Sequence, residues 1–209
     1  MAITITKLVH SCLLVESPAG RTLIDPGTFT WNDDRLDLDL FEGIDRVLVT
    51  HEHADHVSVD LVKAVVERSP EAVVETIPAV QALLAAAGVA AVVEGTPRFT
   101  APHEDLAWGP GPPNTGYHVD GALSHAGDSH TFSETMPVLA VALAAPWGAL
   151  TQAVAPIRRV RPSVVVPIHD WFLTEPGRDF WYGLAKRALE PEEIAVSPIA
   201  DFTTATFDA

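Results

Sequence analysis

The chain contains one cysteine, Cys12, in 209 residues. A single thiol forms no intrachain disulfide, so a cystine framework is excluded and packing must hold the fold. Basic residues are scarce: 13 Lys and Arg stand against 28 Asp and Glu, a formal charge of −15. So few cations argue against nucleic acid as a partner and against docking on an anionic membrane. Long apolar runs are missing too. The longest, 82–93, has 12 residues and contains Gly88; spanning a bilayer takes about 20. No basic stretch followed by an apolar one opens the sequence, so no export leader is expected and the expected location is cytoplasmic.

What is present is a globular composition. Hydrophobic residues make up 47% and charged residues 20%, enough apolar side chain to bury a core in a single domain spanning 1–209. β-Prone runs at 3–5, 8–9 and 12–15 lead into a turn at 17–20 and a further run at 22–24. Val47-Leu48-Val49 is apolar throughout and predicts a buried strand. Helical spacing predicts helices over 59–68, 78–87, 149–159 and 177–189, the second with Pro78 at its first turn and Gly88 beyond its end. Further strands are expected at 72–74, 92–93, around Phe99, and at 117–119, 122–126, 138–143 and 164–166, with Asp120-Gly121 as a hairpin turn. Proline-rich segments such as 108–114 (WGPGPPN) read as rigid loop. Helices and strands mixed in this order suit two sheets with helices on their outer faces better than one doubly wound sheet.

Nine histidines are distributed unevenly. Segment 50–56 reads THEHADH and directly follows the 47–49 strand. His51 and His53 are two apart, so an extended backbone points both to one side. Asp55 and His56 follow where the chain turns toward the helix beginning at 59. Imidazole and carboxylate together suit Zn²⁺, and also Fe or Mn. A solvated polar loop is a poor account, because neighbouring imidazoles repel when protonated. The helical HExxH zinc motif fails at position 55, which is Asp. One segment has too few ligands for a closed site. His103, Asp128 and His169 each follow a predicted strand, as the first cluster does, and strand ends gathered at one sheet edge are where ligands converge.

With these residues the chain resembles the metallo-β-lactamase fold superfamily. The likeness runs from Leu23-Ile24-Asp25-Pro26-Gly27 to His169, with His51, His53, Asp55, His56, His103, Asp128 and His169 in the family's order. It implies an α/β (α+β) fold, the αββα four-layer sandwich. It also implies a dinuclear metal-dependent hydrolase: His51, His53 and His103 on one metal, Asp55, His56 and His169 on the other, and Asp128 bridging. Zn is the first expectation, with Mn or Fe as alternatives. Metal coordination brings the pKa of bound water toward about 7, and the hydroxide would attack a small ester, lactone, amide or phosphoester. His10-Ser11, Asn114-Thr115-Gly116-Tyr117, His125-Ala126-Gly127-Asp128 and Pro167-Ile168-His169 resemble the branch that includes ascorbate-6-phosphate lactonase.

Asp55, Asp128 and His130 are the expected catalytic group, His130 as proton donor or substrate contact beside the bridging carboxylate; His118 is a second candidate for that role. Asp25 is expected to orient the metal-binding loop or a ligand imidazole, with a turn-forming carboxylate and direct ligation as the alternatives. His10 reads equally as structural or as a partner of a ligand, and His125 as packed. Arg158, Arg159 and Arg161 end a predicted helix, where cations suit its dipole; a phosphate site is the less favoured alternative. Trp108, Trp147, Trp171 and Phe172 lie near the motif loops and could line a cleft, although aromatic residues are more often core; Trp171-Phe172, just past His169, is the better candidate for the rim. Two other functions remain open: metal binding without catalysis, and di-iron redox chemistry. Flavodiiron-type relatives, however, carry a carboxylate where this chain has His53.

Overall fold

Ile3 and Ile5 alternate with Thr4 and Thr6, and this period of two places the isoleucines in the core while the threonines stay half-exposed. The strand they form, β1 (Ala2–Lys7), belongs to the structure described here, a computed structural model covering residues 2–208. Those residues divide into two compact units: Ala2–Thr96 with Ala200–Asp208, and Pro97–Ile199.

The first unit holds one six-stranded sheet. Beside β1 stand β2 (Leu13–Ser17) and β3 (Gly20–Ile24), joined as an antiparallel meander through the turn at 18–19. After a short helix, α1 (Thr28–Trp31), β4 (Arg46–Leu48) lies parallel to β3. Next come α2 (Val59–Arg68), β5 (Val73–Glu75), which lies parallel to β4, and α3 (Pro78–Ala86). Ser58 caps α2 by accepting from the Leu61 amide, and the apolar face Leu61, Val62 and Val65 packs into a cluster with Leu14, Leu23, Val47 and Val49. Burial pushes the Cys12 thiol up to about 12, so it offers no thiolate for chemistry or for a metal.

The second unit holds the other sheet. Its strands are β6 (Arg98–Phe99), β7 (Gly116–Val119), β8 (Leu123–His125), β9 (Val138–Ala142), β10 (Val164–Ile168) and β11 (Ala195–Val196). β6, β7 and β8 pair antiparallel; β8, β9, β10 and β11 pair parallel. The helices α4 (Leu150–Val160) and α5 (Glu175–Leu189) supply Ala153, Ile157, Tyr182, Ala185 and Leu189 to its core. The remaining strand, β12 (Thr203–Asp208), returns to the first sheet and pairs antiparallel with β1, giving the order β12-β1-β2-β3-β4-β5.

Three departures from the sequence reading have physical causes. Residues 92–93 form no strand, only a single bridge between Val92 and Glu75. β12 was not anticipated, because TTATFD carries one buried apolar residue, Phe207, and is held as an edge strand by its ladder to β1 with Thr4–Thr206 and Thr6–Thr204 hydroxyl contacts. β10 runs on through Pro167 because β11 pairs only with Val164 and Val165, so no ladder on that side needs the missing N–H. Among the described residues no helix is long and apolar enough to cross a membrane.

Parallel pairing determines where the chemistry collects. In the first sheet Ile24 faces Leu48, so Asp25 and the 50–56 segment leave at the same strand ends. In the second, His125 faces Ala140 and Ala142 faces Ile168, so the connections holding Asp128, Trp147 and His169 leave together.

Candidate metal centre

In the first unit the organising group is Asp25. It is fully buried, follows β3 and adopts a positive φ of 48°. One carboxylate oxygen accepts from the Thr50 amide at 2.8 Å; the other accepts from the Thr50 hydroxyl at 2.8 Å and lies 2.7 Å from His56 Nδ1. Both oxygens are thus occupied by donors, which makes Asp25 an orienting group. The loop can pack this closely because residue 27 is glycine: a Cβ there would stand 1.8 Å from the Asp55 carbonyl oxygen.

This network sets the histidine tautomers. The Thr50 hydroxyl gives its proton to Asp25, so it accepts from His51 Nδ1 at 3.0 Å. His56 Nδ1 donates to Asp25. In each neutral ring the proton is therefore on Nδ1 and Nε2 carries the lone pair, the form a metal requires. His51 Nε2 stands 3.1 Å from His53 Nδ1. Two nitrogen donors on one tetrahedral Zn²⁺ stand about 3.4 Å apart, given Zn–N lengths near 2.0–2.1 Å. The separation fits a shared cation. Beside them the ligand atoms of His10, Asp55 and His56 lie within 4.8 Å of one another, with His10 Nε2 3.2 Å from Asp55 Oδ2. His10 holds a φ of 64° and packs edge-on against Phe29. It therefore belongs with the candidate ligands, a role the sequence did not single out.

The second unit presents its own set around Asp128, which is 2% exposed. His103 Nε2 and His169 Nε2 both lie 3.3 Å from Asp128 Oδ2. His103 Nδ1 is 2.6 Å from the Glu104 carbonyl, so that nitrogen carries the proton and Nε2 faces the carboxylate with its lone pair. Two electron pairs opposed at that distance repel, and a cation between them removes the repulsion. The donor chemistry of this half-set also fits a metal. Glu104 fixes the loops: its amide donates to the Asp128 carbonyl, and its side chain accepts from the His130 amide at 2.8 Å and the Thr131 hydroxyl at 3.0 Å. Asn114 fastens the same corner, donating to the carbonyls of Ala101 and Ala126.

The other sequence candidates fall into place around these sets. His130 is buried, donates from Nε2 to the Ala142 carbonyl at 2.8 Å, and packs at a tilt against Trp147 with ring centroids 4.9 Å apart. Burial pushes its imidazole below the ordinary value, which keeps it neutral. His118 bonds the Ser124 hydroxyl at 2.8 Å, stacks on Phe99 and faces Glu134; none of these partners is a candidate ligand. His125 is fully buried and accepts from the Gly127 amide. The cationic cluster is engaged in holding the fold: Arg158 and Arg161 pair with Glu192, and Arg159 donates to the Phe132 carbonyl. Trp108 is 84% exposed, not core.

Three contributors escaped sequence reading: Thr50, Glu104 and Trp147. Thr50 stood inside the motif but has no metal chemistry of its own. The indole of Trp147 donates to Asp128 Oδ2 at 2.9 Å, a contact that no spacing announces.

Residues 4–169 match the beta-lactamase superfamily domain, a stretch that takes in every candidate ligand and ends on His169. The chain belongs to the beta-lactamase superfamily. Protein Rv0786c of Mycobacterium tuberculosis (strain ATCC 25618 / H37Rv) is 32% identical over 197 residues, covering 86% of this chain and 89% of that protein. Among solved structures, Igni18, a novel metallo hydrolase from the hyperthermophilic archaeon Ignicoccus hospitalis, is 20% identical, with a TM-score of 0.74 and full coverage of both chains. The metallo-beta-lactamase fold protein YhfI from Bacillus subtilis is 13% identical with a TM-score of 0.70, covering 99% of this chain and 100% of that one. Two mixed six-stranded sheets with flanking helices are thus the metallo-β-lactamase fold.

Proposed function

We propose that this chain is a binuclear metal-dependent hydrolase. The observation that carries the reading is the Asp128 carboxylate, one oxygen of which is shared at 3.3 Å by imidazole nitrogens from two separate motifs. A carboxylate so placed suits a bridge between two cations, whose mutual repulsion it offsets. His51, His53 and His103 would hold one ion, and Asp55, His56 and His169 the other, with His10 beside Asp55. Two divalent cations, when bound, supply an ionised water near neutral pH and Lewis acidity toward the substrate's carbonyl or phosphoryl oxygen. The residues' own work is orientation: Asp25 and Thr50 hold two rings with Nε2 bare, and Glu104 holds a third.

The substrate in this reading is a small neutral ester, lactone or amide. Trp171 and Phe172, 51% and 44% exposed, follow His169 directly, and the Phe172 ring lies 5.9 Å from that imidazole. Apolar side chains there favour an apolar group beside the reacting bond. The arginines at 158, 159 and 161 are engaged elsewhere, which weakens the case for a phosphorylated substrate. The likeness to ascorbate-6-phosphate lactonase is therefore carried over for lactone opening and not for its phosphate.

Elemental analysis of purified protein, followed by chromogenic esters, lactones and phosphodiesters with Zn²⁺, Mn²⁺ and Fe²⁺ added in turn, tests the reading. Two divalent ions per chain and metal-dependent turnover of an ester or lactone are expected. Chelation should abolish turnover and lower the melting temperature, with both restored by the metal. Acidification should release metal as well, since protons compete with the cation for imidazole and carboxylate ligands. Metal uptake without turnover of any substrate would leave a binding protein and overturn the hydrolase. Replacing Trp171 and Phe172 together by Ala should raise KM about tenfold with kcat nearly unchanged, the loss of about 1.4 kcal/mol of apolar contact. An unchanged KM removes them from the substrate's path.

A further inference from the structure

We propose that Trp147 is a positioning residue for Asp128, its indole N–H fixing which carboxylate oxygen and which lone pair remain for a cation. The proposal rests on the metal-centre reading above. Trp147 lies on the connection from β9 to α4, at the strand ends where the second half-set collects. Its Nε1 donates to Asp128 Oδ2 at 2.9 Å, the same oxygen that faces His103 and His169. Its ring centroid stands 5.8 Å from that of His103 and 5.5 Å from that of His169. One side chain thus touches the carboxylate and both flanking imidazoles.

The chemistry of the donor matters. An indole N–H only donates; it has no lone pair for a metal and does not titrate in the physiological range. Ser, Thr or His at the same point could turn an oxygen or nitrogen toward the cation and become a ligand. Tryptophan engages one lone pair of Oδ2, stops rotation of the carboxylate, and leaves the metals uncontested. The ring is itself braced. His130 packs on it at 4.9 Å while anchored to the Ala142 carbonyl, and Gly148 lets the loop come this close, since a Cβ there would stand 2.7 Å from the His130 ring. The buried His130 acts through Trp147 in this arrangement.

The test compares wild type, Trp147→Phe and Trp147→Ala by competition for Zn²⁺ against a chromophoric chelator, with melting of the metal-free forms and tryptophan emission recorded alongside. Trp147→Phe keeps the ring and removes the donor. It is expected to weaken at least one Zn²⁺ by about tenfold or more, the usual effect of removing a hydrogen bond to a metal ligand. Its metal-free melting temperature should stay at the wild-type value, and the Zn²⁺-induced change in emission should largely disappear. Zn²⁺ affinity unchanged in Trp147→Phe but reduced in Trp147→Ala would show that the ring only packs, and would overturn the proposal alone. A wild-type protein that takes up no divalent cation would overturn the metal centre and this proposal together.

Discussion

Asp128→Ala is expected to empty the centre of metal and abolish hydrolysis while the chain still folds. Asp128 is 2% exposed, and its Oδ2 receives an indole N–H and faces two imidazole nitrogens. A side chain that gathers three groups around one oxygen is suited to a cation rather than to packing. Loss of an orienting hydrogen bond already costs a metal site about 10–100-fold in affinity; loss of the carboxylate proposed to bridge the two cations should exceed the upper end of that range. The fold should tolerate the change, because groups arranged for chemistry commonly cost stability, and their removal is neutral or favourable to the metal-free protein. Metal content, turnover and metal-free melting are the three measurements. Asp128→Asn separates charge from shape: it keeps an oxygen for Trp147 but loses the charge that offsets two cations, so it should fail nearly as badly in metal uptake. Wild-type metal content in either variant would remove Asp128 from the centre.

The half-sets were legible in the sequence because ligation demands particular residue types at strand ends. THEHADH after an apolar triplet, and single histidines or aspartates after later strands, are patterns that hydrophobic periodicity can place. What orients those ligands was less legible. Asp25 was recognisable as an orienting group from its turn, but Thr50 joins it to His51 through a hydroxyl whose importance depends on a contact 25 residues away in sequence. Glu104 contributes a backbone carbonyl, which any residue could supply. Trp147 has the composition of a core residue and acts through one N–H. β12 shows the same limit in the fold. Its pairing with β1 joins segments at opposite ends of the chain, and TTATFD has almost none of the apolar alternation by which strands are read.

Asp25→Ala should show the opposite profile from Asp128→Ala: a large loss of stability that precedes any question of metal. Asp25 is fully buried and accepts from the Thr50 amide, the Thr50 hydroxyl and His56 Nδ1. Deleting it leaves three buried donors without their acceptor, each worth about 1–3 kcal/mol when unsatisfied. Partial relaxation and entry of water reduce the sum, so a loss of about 3–5 kcal/mol is expected, a large fraction of an ordinary domain's 5–15 kcal/mol. The rings it orients also lose their tautomer control. His56 Nδ1 no longer has a carboxylate, and the Thr50 hydroxyl becomes free to donate to His51 Nδ1, which would move the ring proton to Nε2 and block the donor atom. Chemical denaturation of the metal-free protein measures the first effect, and Zn²⁺ competition at a temperature where the variant is folded measures the second. Asp25→Asn sharpens the separation, since it restores one acceptor oxygen but sets an amide N–H₂ against another donor. It should recover part of the stability and little of the affinity. A metal-free Asp25→Ala protein as stable as wild type would mean that the network around Thr50 and His56 finds other acceptors, and that the two histidines are oriented by something other than this carboxylate.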